Sequence, residues 1–410
     1  MTDDDCPSVP GVSGPPVAIR VCRFCAKGIV RVLSLGNQIP ANTYVLPGDP
    51  PAPRYPLDYA ICRACGLLQL ESVVPPEDLY GTYAYRSKGS LAVARHAVDL
   101  AQRFGGEGKF VVEVASNDGL FLEEMQRTGS RVLGVEPAEN IAADAVRAGV
   151  PTVVEFFDAG LGAEIAEDQG QADVILARNV VGHLPEPHGF LRGCVALLKN
   201  EGVLIVEAPS LMEVFTHRDY TYLYHEHVSL LGAWNMARLV AQHDLTLTDV
   251  VHVDLHGGST QFQIRKRGWS SASVLKMQAA ESAAGALRES GWEFFAKAAE
   301  RNRDNVVAGL AALRDAGRRV AGYTAPAKLS VLCQWAGIGK DLLPVVYDTT
   351  PEKVGRLVPG TDILIEDPAR MQEYHPDALF VGAHNLAAEI KKRTPNNTLY
   401  RAIPEWGEVS

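Results

Sequence analysis

The chain has 410 residues, of which 47% are hydrophobic and 21% charged, with a formal net charge of −10. That length accommodates two or three domains of ordinary globular composition. The acidic balance argues against a general nucleic-acid binder, which needs a basic face, and no apolar run reaches the roughly 18 to 20 residues of a membrane span.

The first segment, MTDDDCPSVPGVSGPP, is acidic and lacks an apolar h-region, so it reads as a disordered leader over residues 1–16, not a signal peptide. A cytoplasmic protein is expected. Residues 17–85 alternate short apolar stretches with Pro, Gly and Asn. Four of the seven cysteines fall here, as Cys22/Cys25 and Cys62/Cys65, with 36 residues between the pairs. Two Cys-x-x-Cys knuckles supply four thiolates for a tetrahedral Zn²⁺ site. All four ligands come from protein, so the ion is expected to be structural. A segment this small and polar buries little core alone, and a metal staple compensates. Gly66 and Gly28 follow the two pairs and suit the turns.

Residues 86–268 change character. A helix (SLAVARHAVDLAQRF) leads into the strand KFVVEVA, and a helix from Leu120 follows. The alternation continues through RVLGVE, a helix after Pro137, ADVILAR, a helix around PHGFLRGCVALLK, and GVLIVEAP. Strands separated by helices of this size indicate βαβ units and a parallel sheet. After the helix WNMARLVAQHD come LTLTDVVHV and TQFQIRK, joined by LHGGS, which predicts an antiparallel hairpin at the sheet edge. In residues 269–410, long amphipathic helices over 270–317 precede RRVAGYTA, LLPVVYD, ALFVGA and TLYRAIP, a second α/β domain.

The turn in VVEVASNDGLFL links a buried strand to a helix, as a nucleotide-binding first βα turn does. Glu136 ends the next strand, 23 residues after Glu113. A carboxylate there accepts two hydrogen bonds from a ribose diol. The turn has Ala115 and Gly119 where a dinucleotide fold wants G-x-G-x-x-G. The acidic Glu113 and Asp118 suit a cationic, amino-acid-bearing cofactor better than a diphosphate. YTYLYHEHVSL packs three tyrosines, two histidines and a glutamate into eight residues (220–227). An extended conformation would put Tyr222, Tyr224 and Glu226 on one side and His225 and His227 on the other. His183 follows the strand ADVILAR, near the sheet's carboxyl end. Tyr83 and Tyr85 lie where a linker would fold over the site. Such a set supplies an acid, a base and orienting carboxylates. The bland alternative is an ordinary polar loop.

Together these segments resemble the S-adenosylmethionine-dependent C-methyltransferases of deoxysugar biosynthesis, which act on nucleotide-linked 4-keto sugars. The resemblance runs from Cys22 to about Pro404. It rests on the four cysteines, VEVASNDG, GVEPAEN, TVVEFF, GHLPEP, YHEHVSL, LHGGS, GYTAPAK and VVYDTTPEKVGRLVPGT. It implies an α/β protein of three domains: a small zinc-binding module, a central class I Rossmann-like methyltransferase domain and a C-terminal Rossmann-like domain. It further implies that the methionine part of the cofactor lies along Ala115 to Gly119, with Glu113, Ala115, Asn117 and Gly119 among the cofactor-binding residues. Glu136 then holds the ribose, and Phe156 or Phe157 packs near the adenine. His227 is the general base, with Tyr224 and Glu226 beside it, and His183 and Tyr85 complete the catalytic set. The chain departs from the family pattern at Ala115, Thr324, Leu329 and Ala383-His384-Asn385, changes that bear mostly on the substrate's carrier.

The expected chemistry is removal of a proton next to a ketone by His227, with Glu226 setting the imidazole tautomer or orienting a neighbour. Tyr224, Tyr85 or His183 would donate to the enolate. Lys328, Lys353 and Arg356 are candidates for a phosphate-bearing, dTDP-linked substrate, with His256 of LHGGS beside them. The expected partner is thus a small molecule, with no nucleic acid or membrane, and the protein a monomer or weak homo-oligomer. Three alternatives stay open: the same build acting on a non-sugar carbon or oxygen, an NAD-dependent oxidoreductase or epimerase, and a non-catalytic zinc-ribbon binding module.

Overall fold

The computed structural model describes residues 16–75, 79 and 86–409. Most of the expected leader, and the candidate Tyr85 with its neighbour Tyr83, lie outside the described residues.

The central sheet has seven strands in the spatial order Thr246–Val253, Ser259–Arg265, Leu198–Pro209, Ala172–Arg178, Phe110–Val114, Arg131–Val135, Thr152–Val153. The last five run parallel, and Ser259–Arg265 is antiparallel to both its neighbours, as the edge hairpin requires. Phe110–Val114 is buried along its whole length, the pattern of a parallel strand with helices on both faces. Strand order reverses between Phe110–Val114 and Ala172–Arg178. Their carboxyl ends are therefore the place where an open α/β sheet binds ligand.

The C-terminal sheet is built in the same way. Its order is Leu364–Glu366, Val345–Tyr347, Val320–Tyr323, Ala378–Val381, Thr398–Arg401, Gly407–Glu408, parallel except at the last pair. The helices Ala272–Ala284 and Glu289–Asp315 connect the two sheets.

The zinc module contributes an antiparallel sheet of Ile29–Gln38, Tyr55–Cys62 and Leu68–Leu70. Its fourth strand, Ser229–Leu230, comes from the end of YTYLYHEHVSL. One apolar core runs through all three parts. It takes Leu57, Tyr59 and Leu68 from the module, Tyr220, Leu223 and Val228 from the histidine-rich segment, Trp292, Phe295 and Val306 from the long helix, and Val320 and Phe380 from the C-terminal sheet. Each such side chain contributes about 1.5 to 3 kcal/mol on burial, so the parts share a core where many domain pairs share only a polar contact.

Candidate active site and zinc centre

The sulfur atoms of Cys22, Cys25, Cys62 and Cys65 all lie within 4.8 Å of one another. The Cys22–Cys65 and Cys25–Cys62 separations are 3.4 and 3.5 Å. A tetrahedron with Zn–S bonds of about 2.3 Å has edges of about 3.8 Å, so this set fits zinc. The two knuckles are built alike. The Ala26 N–H donates to the Cys22 carbonyl and the Gly66 N–H to the Cys62 carbonyl, both at 2.8 Å. Each donor residue is left-handed, with φ of 55° and 72°. Gly66 serves as expected, but in the first knuckle Ala26 takes the left-handed place. Gly28 instead pairs with Val21 in a β-bridge, because the reversal is already complete two residues earlier.

At the carboxyl end of Phe110–Val114 the chain turns through Ala115, Asn117 and Gly119, with φ of 52°, 51° and 80°. A Cβ on Gly119 would lie 3.1 Å from Ala145 and Val150, so only glycine lets the helix Glu139–Arg147 and the residues after it pack this closely on the turn. The Asn117 N–H donates to Glu136 Oε2 and the Ala138 N–H to Oε1, both at 2.9 Å. Those bonds aim the carboxylate and leave a lone pair on each oxygen for a diol. Glu113 departs from the expectation of direct cofactor contact. It is fully buried, and Arg178 reaches its Oε1 through Nε and Nη2 at 2.9 and 2.7 Å. Burial pushes its carboxyl up to about 7, against the pull of Arg178. Phe156 is 51% exposed, whereas Phe157 packs edge-on against Phe190 at 5.7 Å. Phe156 is therefore the ring free to cover a ligand.

YTYLYHEHVSL is not extended up to Val228. Tyr220–Tyr222 forms a 3₁₀ turn, and the His227 N–H closes a second turn on the Tyr224 carbonyl at 2.8 Å. The expected alternation of sides is lost. Tyr222, Tyr224 and His227 share one cluster, with ring centroids 6.0 and 4.0 Å from His227, and the His183 ring stands 5.1 Å away. His225 turns away and its Nε2–H donates to the Tyr55 carbonyl at 3.2 Å.

The His227 Nδ1–H donates to the Tyr222 carbonyl, so the lone pair is on Nε2. Burial draws its imidazolium down to about 4, and that of His183 to about 3. Both rings are thus neutral near pH 7. The tautomer of His227 is set by Tyr222, not by Glu226. Glu226 instead accepts from Asn42 Nδ2 at 2.7 Å, and burial pushes its carboxyl up to about 7.

The C-terminal domain reaches into this cluster. Lys328 Nζ lies 3.7 Å from the Tyr222 ring centroid and 3.7 Å from Asp219 Oδ2. His384 Nε2 is 2.9 Å from the same Asp219 oxygen. Burial opposes ionisation of Asp219, but His384 and Lys328 outweigh it and hold the carboxyl down at about 2. His256, exposed and left-handed with φ of 57°, is within electrostatic range of Arg178 and Lys328. Lys353 and Arg356 have internal work instead of the expected phosphate contact. Lys353 donates to the Ala325 carbonyl at 2.9 Å and pairs with Asp348, while Arg356 donates to the Tyr44 carbonyl of the zinc module at 3.2 Å.

Three family models match successive segments of the chain. Residues 22–80 match a model described as "Putative zinc binding domain", residues 85–250 a "Methyltransferase domain", and residues 254–400 a "C-methyltransferase C-terminal domain". The chain is 34% identical to the C-methyltransferase NovU of Streptomyces niveus over 350 residues, 82% of each chain. The chain belongs to the C-methyltransferase family.

A ubiquinone biosynthesis O-methyltransferase of Escherichia coli is 32% identical over 108 residues, 25% of this chain and 44% of that protein. Among solved structures, a Haloferax volcanii methyltransferase activator complex aligns with a TM-score of 0.37 and 14% identity, covering 44% of this chain and 92% of that one. As a C-methyltransferase the chain is an S-adenosylmethionine-dependent enzyme carrying a zinc-binding module, and not an NAD-dependent oxidoreductase. The left-handed turn, the close helix at Gly119 and the aimed Glu136 fit such a cofactor. Among the described residues no helix is long and apolar enough to cross a membrane.

Several residues of this C-methyltransferase site escaped the sequence reading. Ser87 and Lys88 cap the turn from the linker, donating their N–H groups to Asn117 Oδ1 and Asp118 Oδ2 at 3.0 and 2.8 Å. Asn42, Tyr59, Asp219 and His384 are the others. His384 alone left a signal, as the histidine beside Asn385 in a motif that departs from the family pattern.

Proposed function

We propose that this C-methyltransferase methylates the carbon next to the ketone of a nucleotide-linked 4-keto-deoxysugar, with dTDP as carrier. The observation that carries the reading is His227: a buried, neutral imidazole with Nδ1 anchored on a carbonyl and Nε2 left as the proton acceptor. S-adenosylmethionine, when bound, supplies an electrophilic methyl group. Residues Ala115 to Gly119 and Glu136 would hold it, with Phe156 over the adenine.

His227 Nε2 takes the proton from the carbon, and the electron pair moves onto the ketone oxygen. Tyr224 and His183 supply donors to that oxygen, and Lys328 adds a cation beside the Tyr222 ring. Glu226 is poised to hold or release a proton near neutral pH. An anionic carrier would share Lys328 with Asp219 and take a hydrogen bond from His256, whose imidazolium desolvation draws down to about 4. Binding both reactants in one cleft provides alignment, the largest saving available to a displacement at carbon.

The test is His227→Asn. S-adenosylhomocysteine affinity, measured by calorimetry, should stay within about threefold, while turnover of a dTDP-4-keto-deoxysugar should fall roughly 100- to 10,000-fold. Deuterium wash-in at the substrate carbon should vanish with it. Turnover within a few-fold of the native enzyme would remove His227 as the base, and no wash-in with the native enzyme would remove carbon as the acceptor.

A further inference from the structure

Every residue from Tyr224 to Leu230 is tied to the zinc module. The Tyr59 hydroxyl lies 3.1 Å from the Tyr224 carbonyl and 2.7 Å from the His227 carbonyl. His225 bonds to Tyr55, and Glu226 to Asn42. The Val228 carbonyl accepts from the Leu70 N–H at 2.9 Å and from Arg23 Nη1 at 3.3 Å. Ser229 and Leu230 pair with Gln69 and Leu68.

Two of these contacts are more than sheet formation requires. The ladder through Ser229 and Leu230 already docks the segment. Tyr59 is completely buried and its ring already fills the core, so its hydroxyl is not needed to pack it. That single proton sits between two carbonyls three residues apart, and so tightens the turn that carries His227. Arg23 stands between the zinc ligands Cys22 and Cys25. Its backbone is therefore set by the knuckle, and the residue as a whole is buried, at 8% exposed.

We propose that Tyr59 and Arg23 are positioning residues, which hold the backbone on either side of His227 from the zinc module and so fix where its ring stands. The zinc site then does more than staple a small module: it sets the base. This rests on the reading of His227 as the base. The ring itself touches Tyr222, Tyr224 and His183, with Lys328 as the nearby cation. A slackened turn admits water to this group and moves Nε2 off the substrate carbon.

The experiment uses the full-length zinc-loaded enzyme with Tyr59→Phe and, in parallel, Arg23→Lys. Zinc content and S-adenosylhomocysteine affinity should stay near native. The kcat should fall about tenfold to a hundredfold with KM little changed, as a displaced reacting group requires. The His227 imidazole resonance, assigned by its absence in His227→Asn, should titrate at least about one pH unit closer to the ordinary histidine value. A merely structural role would move thermal stability but not this titration or the kcat-against-KM split. The proposal is overturned if both variants keep native kcat and His227 titrates where it does in the native protein. If Tyr59→Phe fails to fold, Arg23→Lys decides. If His227→Asn retains turnover, the base assignment falls, and the titration alone then judges the coupling.

Discussion

Glu226 should be a residue whose replacement makes the protein more stable and less active. It is a buried carboxyl that accepts a side-chain hydrogen bond from Asn42. Burial raises it from its ordinary 4.5 to about 7. The native state therefore binds a proton that the unfolded chain has lost, across the window from pH 4.5 to 7. The stability contributed by that proton is fully present below 4.5 and is lost as pH rises through 7. Each pH unit corresponds to about 1.4 kcal/mol, so the loss above pH 7 is roughly 3 kcal/mol. Glu226→Gln keeps the acceptor for Asn42 and has nothing to ionise. At about 1.2 °C per kcal/mol for a 410-residue unit that shares one core, the variant should melt roughly 3 to 4 °C above native at pH 8.5. At pH 4.5 the two proteins should melt together. Scanning calorimetry across that range reads the difference, and turnover should fall in the same variant. Equal or lower melting at pH 8.5 would refute the argument, because it would mean that Glu226 does not resist ionisation.

Other outcomes follow from single residues. Ala115→Gly removes a left-handed L-residue, which costs about 1 to 2 kcal/mol, and adds glycine's entropy cost of about 0.5 to 1 kcal/mol. The melting temperature should rise by a degree or two, with S-adenosylhomocysteine affinity close to native. Asp219→Asn leaves Lys328 and His384 without their buried anion. A carboxyl held from 3.8 down to about 2 contributes about 2 kcal/mol above pH 3.8 that is lost as pH falls towards 2, so the variant should melt roughly 2 to 3 °C lower at pH 7. Cys62→Ser should lose most of its zinc, read by elemental mass spectrometry. It should destabilise residues 22–75 first, read by hydrogen exchange, since a structural zinc contributes folding free energy directly.

Much of the architecture was legible because it rests on local rules. Cys-x-x-Cys spacing makes a knuckle wherever it occurs, and FVVEV and LIVEAP declare buried strands by being apolar at every position but a single glutamate each, Glu113 and Glu207. Glu136 was legible because the end of the second strand is a fixed place in such a fold. The histidine segment was conspicuous in composition but misread in conformation. Its alternation suggested a strand, while the structure closes two successive turns there, the second with the Tyr59 hydroxyl against its Tyr224 and His227 carbonyls.

The chain's own order of residues determines the zinc ligands and the three α/β and zinc parts, since each needs only residue type and spacing, whereas the candidate base was singled out within its cluster by the family resemblance. The tertiary structure alone decides what makes that base work. His227 is neutral because distant segments exclude water from it, and its tautomer is set by a backbone carbonyl that no side-chain pattern encodes. Asp219, Lys328 and His384 meet across more than 100 residues of chain. Tyr59 reads in sequence as one more buried aromatic in a strand, because periodicity says which face a side chain takes and is silent on what its hydroxyl touches.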